Sequence, residues 1–139
     1  MTVFLDAAVF MYAIGEEHPL RDPCQRVLRH AAEQRIDAVT SAEVVQEVLH
    51  RYLAVGRPDI AIGAARGILT AFGPVMPVTH EVMSRVADLA GRHSPTLSAR
   101  DLVHVATCIE HGIDEIVTTD RGFDQVEGLT RIDPVAFVA

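Results

Sequence analysis

The sequence predicts an α/β fold: three layers, α/β/α, around a central, mostly parallel sheet of four to five strands. Three observations predict it. Short apolar runs of β type alternate with longer helical stretches, most of those stretches begin at recognisable caps, and two of the short runs end on an aspartate. Strands separated by helices need crossover connections, which make the pairing parallel and bury the sheet on both faces.

Thr2-Val-Phe-Leu5 is the first strand and stops at Asp6. Residues 23–34 read as a helix and 36–39 as the second strand. Thr40-Ser41 then opens a helix over residues 42–55, the Gly56-Arg57-Pro58 punctuation ends it, and residues 59–71 are helical again. Residues 75–78 are a third strand candidate, with Pro77 placing them at an edge or a strand end. Thr79 caps a helix to residue 92, and Ser98 caps another to residue 111. Residues 115–119 form a fourth strand and 129–132 a fifth. With 139 residues and no linker, repeat or low-complexity tract, residues 1–139 are expected to form one domain.

Hydrophobic residues make up 49% of the chain, enough for a packed core at this length. No apolar run approaches the roughly 18 residues of a membrane span. The opening has no basic segment and carries Asp6 inside its apolar stretch, unlike a secretory signal, so a cytoplasmic protein with no membrane partner is expected. Cys24 and Cys108 match no metal or redox spacing and are expected to be buried, unpaired thiols. The net charge is −7, and all 12 basic residues are arginine. That balance excludes the broad basic face of a nonspecific nucleic-acid binder.

In a parallel sheet, ligands sit beyond the carboxyl ends of the strands. Asp6 and Asp120 each follow an apolar strand and should meet at that edge. Each could equally cap the turn that follows. Thr40-Ser-Ala-Glu43 reads as a capping box with Thr40 as the cap, which gives Glu43 a structural task. Glu47 lies one turn further on the same face, bordering Val44, Val45, Val48 and Leu49, where a solvated glutamate is the ordinary expectation. Ser98-Ala-Arg-Asp101 is also box-like. Asp101 and His104 share a face at i, i+3, a spacing open to metal binding, although a hydrogen-bonded, semi-buried His104 is the favoured reading.

Taken together, these motifs have a recognisable order. A strand ends in Asp6; Ser41-Ala-Glu-Val-Val-Gln-Glu47-Val48 follows; then Ser98-Ala-Arg-Asp101-Leu-Val-His104-Val-Ala106; then Val117-Thr-Thr-Asp120-Arg-Gly-Phe123-Asp124. In this the chain resembles the PIN-domain nucleases over nearly its whole length, and in particular the VapC toxins of bacterial toxin–antitoxin pairs. The resemblance implies a PIN-like domain and a metal-dependent endoribonuclease leaving 5′-phosphate and 3′-hydroxyl ends. It makes Asp6, Glu47, Asp101 and Asp120 the catalytic acids, with Asp6 and Asp101 as direct metal ligands and Asp120 and Glu47 binding metal or orienting its waters. Asp124 and Thr118 are accessory positions, and Glu47 fits better than Glu43.

Oxygen-only ligands select a hard cation, Mg²⁺ or Mn²⁺. Arg100 and Arg121 flank site acids and are candidates for gripping phosphate, or for pairing with nearby carboxylates. An RNA substrate, a cognate antitoxin and a homodimer are further implications. The family has a hydroxyl or amide side chain just after its first aspartate, whereas Ala7-Ala8 stand here, which leaves a catalytically silent PIN-like module binding RNA or protein as the alternative. Phosphoaspartyl enzymes, which need a lysine, are excluded by its absence.

Overall fold

The computed structural model describes residues 2–93 and 96–137. In chain order it contains β1 (Thr2–Leu5), α1 (Ala7–Ile14), α2 (Arg21–Ala32), β2 (Asp37–Val39), α3 (Ala42–Ala54), α4 (Pro58–Phe72), α5 (His80–His93), α6 (Ala99–Glu110), β3 (Glu115–Val117) and β4 (Thr130–Ile132). A 3₁₀ turn, Arg121–Gln125, separates the last two strands. The strands form one parallel sheet in the order β2-β1-β3-β4, flanked by the six helices in three layers. Helices pack in sequential pairs, α1 on α2, α3 on α4 and α5 on α6.

Parallel pairing follows from burial on both faces. Phe4, Leu5, Ile116 and Val117 are fully buried in the two central strands, and Val9, Val27, Val44 and Val105 are fully buried in the helices around them. Register then fixes the site. Leu5 lies opposite Val117, so β1 and β3 end level with each other. The Asp6 N–H donates to Val117 O (3.1 Å) and the Thr118 N–H to Ile132 O (3.1 Å), extending the sheet one residue past each strand. β2 and β3 lie on opposite sides of β1, so chain order reverses there, the place where open α/β sheets bind ligands.

Three local expectations are corrected. Helix α1 was not anticipated: Ala7–Ile14 is apolar throughout, so it carries no 3.6-residue polar contrast to separate it from a strand. Residues 75–78 do not join the sheet; Met76 only bridges to Ser41, its N–H donating to Thr40 O at 3.0 Å while its carbonyl accepts from Ala42 N–H at 2.8 Å. The cap of α3 is Ser41, not Thr40. The Ser41 hydroxyl accepts from Val44 N–H (3.2 Å), while the buried Thr40 hydroxyl donates to Leu5 O (2.9 Å) and ties the end of β2 to β1.

Cys24 and Cys108 are free and buried as expected, and burial pushes their thiols up to about 11 and about 12. Among the described residues no helix is long and apolar enough to cross a membrane.

Candidate metal centre

Asp6 sits where β1 hands over to α1, and only 6% of it is exposed. Both carboxylate oxygens are partnered. Oδ1 accepts the Ala7 N–H at 2.8 Å, which makes Asp6 the cap of α1, and Oδ2 accepts the Thr118 hydroxyl at 2.6 Å. The same hydroxyl accepts the Asp120 N–H at 3.1 Å. Thr118 therefore links the aspartate after β1 to the loop after β3.

The second carboxylate comes from α3. Glu47 Oε2 lies 2.9 Å from His104 Nε2, and that nitrogen is 3.5 Å from Asp6 Oδ1. His104 is fully buried on α6, its ring 5.7 Å from that of Phe4. It is thus a hydrogen-bonded histidine, as favoured from the sequence, but wholly rather than partly buried. One ligand atom from each of Asp6, Glu47 and His104 falls within a mutual separation of 4.8 Å, the one such group of metal-binding side chains among the described residues.

Burial holds Asp6 above the ordinary carboxylate range, and the Glu47 charge adds to this; His104 and the Thr118 hydrogen bond pull the other way without cancelling it. For His104, burial opposes the charged ring, yet the Glu47 hydrogen bond and the charges of Asp6, Glu47 and Asp101 outweigh it and hold the imidazole above its usual value. Both directions say that the cluster keeps a proton more tightly than its members would alone. A buried carboxylate beside a second one is what a cation relieves.

The donor set suits a hard cation through the carboxylates. The imidazole suits it less. His104 Nδ1 is buried without a partner, whereas a metal-binding histidine almost always donates its other N–H to one. In the neutral ring, a proton on Nε2 leaves no N–H stranded and makes His104 a donor to Glu47. His104 stands beside the acids as the hydrogen-bond partner of Glu47.

The other anticipated residues stand around this knot. Asp101 is the third residue of α6 and closes a capping box: its N–H donates to the Ser98 hydroxyl (3.1 Å) and its Oδ2 accepts the Ser98 N–H (3.4 Å). Asp120 lies past β3, exposed, with Oδ1 accepting the Gly122 N–H at 2.8 Å. A Cβ at Gly122 would meet that oxygen at 3.1 Å and Leu97 Cδ2 at 3.2 Å, so only glycine fits this turn without movement.

Asp124 pairs with Arg131 at 2.8 Å, and Arg131 also donates to Thr118 O at 3.2 Å. Arg100 approaches Glu43 at 3.6 Å and Glu47 at 3.9 Å, so it pairs with carboxylates, and Glu43 serves that pair rather than a capping box. Arg121 is exposed. The Glu47–His104 bond had no local signature; its one signal was a histidine inside the otherwise apolar stretch from Leu102 to Ala106, which needs a polar partner from another element.

Comparison with known proteins bears on what such a centre serves. The PIN domain family model matches residues 3–129. Ribonuclease VapC23 of Mycobacterium tuberculosis is 41% identical over 119 residues, covering 86% of this chain and 93% of that protein. Two solved structures share the fold. VapC20 of M. tuberculosis, a sarcin–ricin loop cleaving toxin, has a TM-score of 0.74 at 18% identity over 88% of this chain and 92% of its own. A toxin–antitoxin complex from Klebsiella pneumoniae has a TM-score of 0.68 at 15% identity over 95% of this chain and 97% of that one.

Proposed function

The chain belongs to the PIN-domain family, and from that premise we propose that it is a divalent-metal-dependent endoribonuclease, the toxin of a toxin–antitoxin pair. Residues 1–139 act as one nuclease domain in the cytoplasm. The observation that carries the reading is the convergence of Asp6 and Glu47 on buried His104 at the switch point of the sheet. Capping of α1 explains Asp6 alone; it does not explain Glu47 beside it, and separating the two would relieve repulsion.

Asp6 and Glu47 hold the cation, with Asp101 and Asp120 completing the acidic wall from the start of α6 and the end of β3. Mg²⁺ or Mn²⁺ is the ion, since the available ligands are carboxylate oxygens. When bound, it lowers the pKa of a water and polarises a phosphate oxygen for in-line hydrolysis. The chain's own groups prepare that chemistry. Thr118 fixes the Asp6 carboxylate, His104 fixes Glu47, and Arg100 balances the charge of Glu43 and Glu47 at the mouth. Arg121, exposed beside Asp120, is the candidate to grip phosphate.

The Ala7-Ala8 departure motivates the silent-module alternative. Against it, both Asp6 oxygens already have partners, from the Ala7 backbone and from Thr118, without any polar side chain at positions 7 or 8. An antitoxin is the expected protein partner, as in the Klebsiella complex of like fold, and a second copy of the chain is the expected assembly. The test is RNA cleavage with Mn²⁺ or Mg²⁺, using Asp6→Asn and Asp101→Asn as controls. Wild type should cut and the variants should not. Equal degradation by all three, or none by any, overturns the enzyme.

A further inference from the structure

Outside the acidic knot, a groove of about 960 Å³ runs between α1, the loop that follows it and the C-terminal half of α3. Its lining includes Ala8, two residues past Asp6, and Thr119, which lies between Thr118 and Asp120. The groove therefore adjoins residues that flank Asp6 and Asp120 in the chain. One turn on from Ala8, Tyr12 packs its ring against His18, with centroids 4.9 Å apart and planes inclined by 38°. His18 is exposed but not free to swing, because its Nδ1 accepts the Leu20 N–H at 3.0 Å.

Arg51 also lines the groove. It follows Glu47 by one helical turn, about 6 Å along the axis of α3. It is exposed, and among the described residues it has no ion-pair partner. Arg57, which lines it too, is engaged by Asp59 at 3.4 Å, and Glu16 and Glu17 are also in the lining. The groove is thus no general cationic surface. It offers, in one lining, an exposed guanidinium without an ion-pair partner among the described residues and an aromatic pair.

That combination matches one nucleotide. A guanidinium binds phosphate with two parallel hydrogen bonds, and an aromatic ring stacks any base with a free face. We propose that this groove is the subsite for the unpaired nucleotide next to the scissile phosphate, with Tyr12 and His18 stacking its base and Arg51 holding its phosphate. The inference rests on the nuclease reading and assigns three further residues to it. The base they stack must be unpaired, because a base inside a duplex has both faces covered by its stacked neighbours.

Binding is measured first with the cation absent. Fluorescence anisotropy of a labelled single-stranded oligoribonucleotide, in EDTA at low ionic strength, should show tight binding by the full chain and weaker binding of its duplex. Tyr12→Ala and Arg51→Gln should each weaken the single strand about tenfold, while Tyr12→Phe, which keeps the ring, should stay within about twofold of wild type. With Mn²⁺, Tyr12→Ala should raise KM for cleavage and leave kcat nearly unchanged. Circular dichroism identical to wild type shows that the variants are folded. Unchanged binding in folded variants, Tyr12→Phe as weak as Tyr12→Ala, or equal affinity for duplex overturns the subsite. Selective binding without any cleavage would overturn the nuclease and leave the subsite standing.

Discussion

Asp6 and Glu47 each take a hydrogen bond from a distant part of the chain; Asp101 and Asp120 accept from their own neighbours. Asp6 takes a hydrogen bond from Thr118, 112 residues away, and Glu47 one from His104, 57 residues away. Asp101 and Asp120 accept from backbone N–H groups three and two residues away. The first pair is buried or half-buried where repulsion is strongest, and the second stands nearer solvent. Local capping is a sufficient reason for the second pair to exist as structure. Capping α1 accounts for Asp6 in part, but no cap accounts for Glu47 beside it, so the first pair is where chemistry should be most sensitive.

The largest effect should come from Asp6→Asn, which keeps shape and removes charge. Cleavage of RNA should fall by at least about 10²- to 10³-fold in a Mn²⁺ assay, with the circular dichroism spectrum intact. Because burial holds the Asp6 carboxyl above 3.8, folding favours its neutral form. Wild type should therefore gain stability, relative to this variant, as pH falls through the raised value toward 3.8. A variant that cuts at the wild-type rate would remove Asp6 from the chemistry.

Next is His104→Ala. It leaves a cavity and strips Glu47 of its donor, which should lower stability by about 2–4 kcal/mol in urea unfolding. The imidazole's value in the fold lies above 6.5, so its contribution is complete below pH 6.5 and is lost as pH rises through the folded value. Thermal midpoints of the metal-free wild type should fall across that window, and His104→Gln should flatten the slope. A slope of the opposite sign would mean that the ring is folded in as the neutral form.

Thr118→Val separates positioning from ligation. Losing the hydroxyl frees Asp6 Oδ2 and the Asp120 N–H together, so activity should drop about 10- to 100-fold while stability falls by only about 1–2 kcal/mol. Ser98→Ala is expected to be the mildest. It removes the α6 cap for about 1 kcal/mol, read by chemical denaturation, with activity nearly unchanged. Asp101→Asn should do the converse and lower activity at little expense in stability. If both variants lose only stability, Asp101 is a cap and nothing more.

The elements legible in the sequence were those with a local cause. Strand β1 and its terminal aspartate, the Ser98 box and the Thr79 cap, whose hydroxyl accepts the Val82 N–H at 3.1 Å, all follow from residues within one turn. Helix α1 lacked periodicity because both of its faces are apolar, and residues 75–78 had strand composition but pair only through the single Met76–Ser41 bridge. Thr40 and Ser41 were indistinguishable as caps until the end of β2, packed beside β1, claimed the Thr40 hydroxyl. The four acids stood out by their order along the chain. The bond between Glu47 and His104 depends on how α3 and α6 meet across the molecule, and no local pattern encodes that.

Calorimetric titration of the purified protein with Mn²⁺, for wild type and Asp6→Asn, tests the central assignment most directly. Wild type should bind the ion and release protons, seen as heats that change with the ionisation enthalpy of the buffer, while Asp6→Asn should bind far more weakly. Equal affinity in the two proteins would mean that the buried knot is not the metal centre.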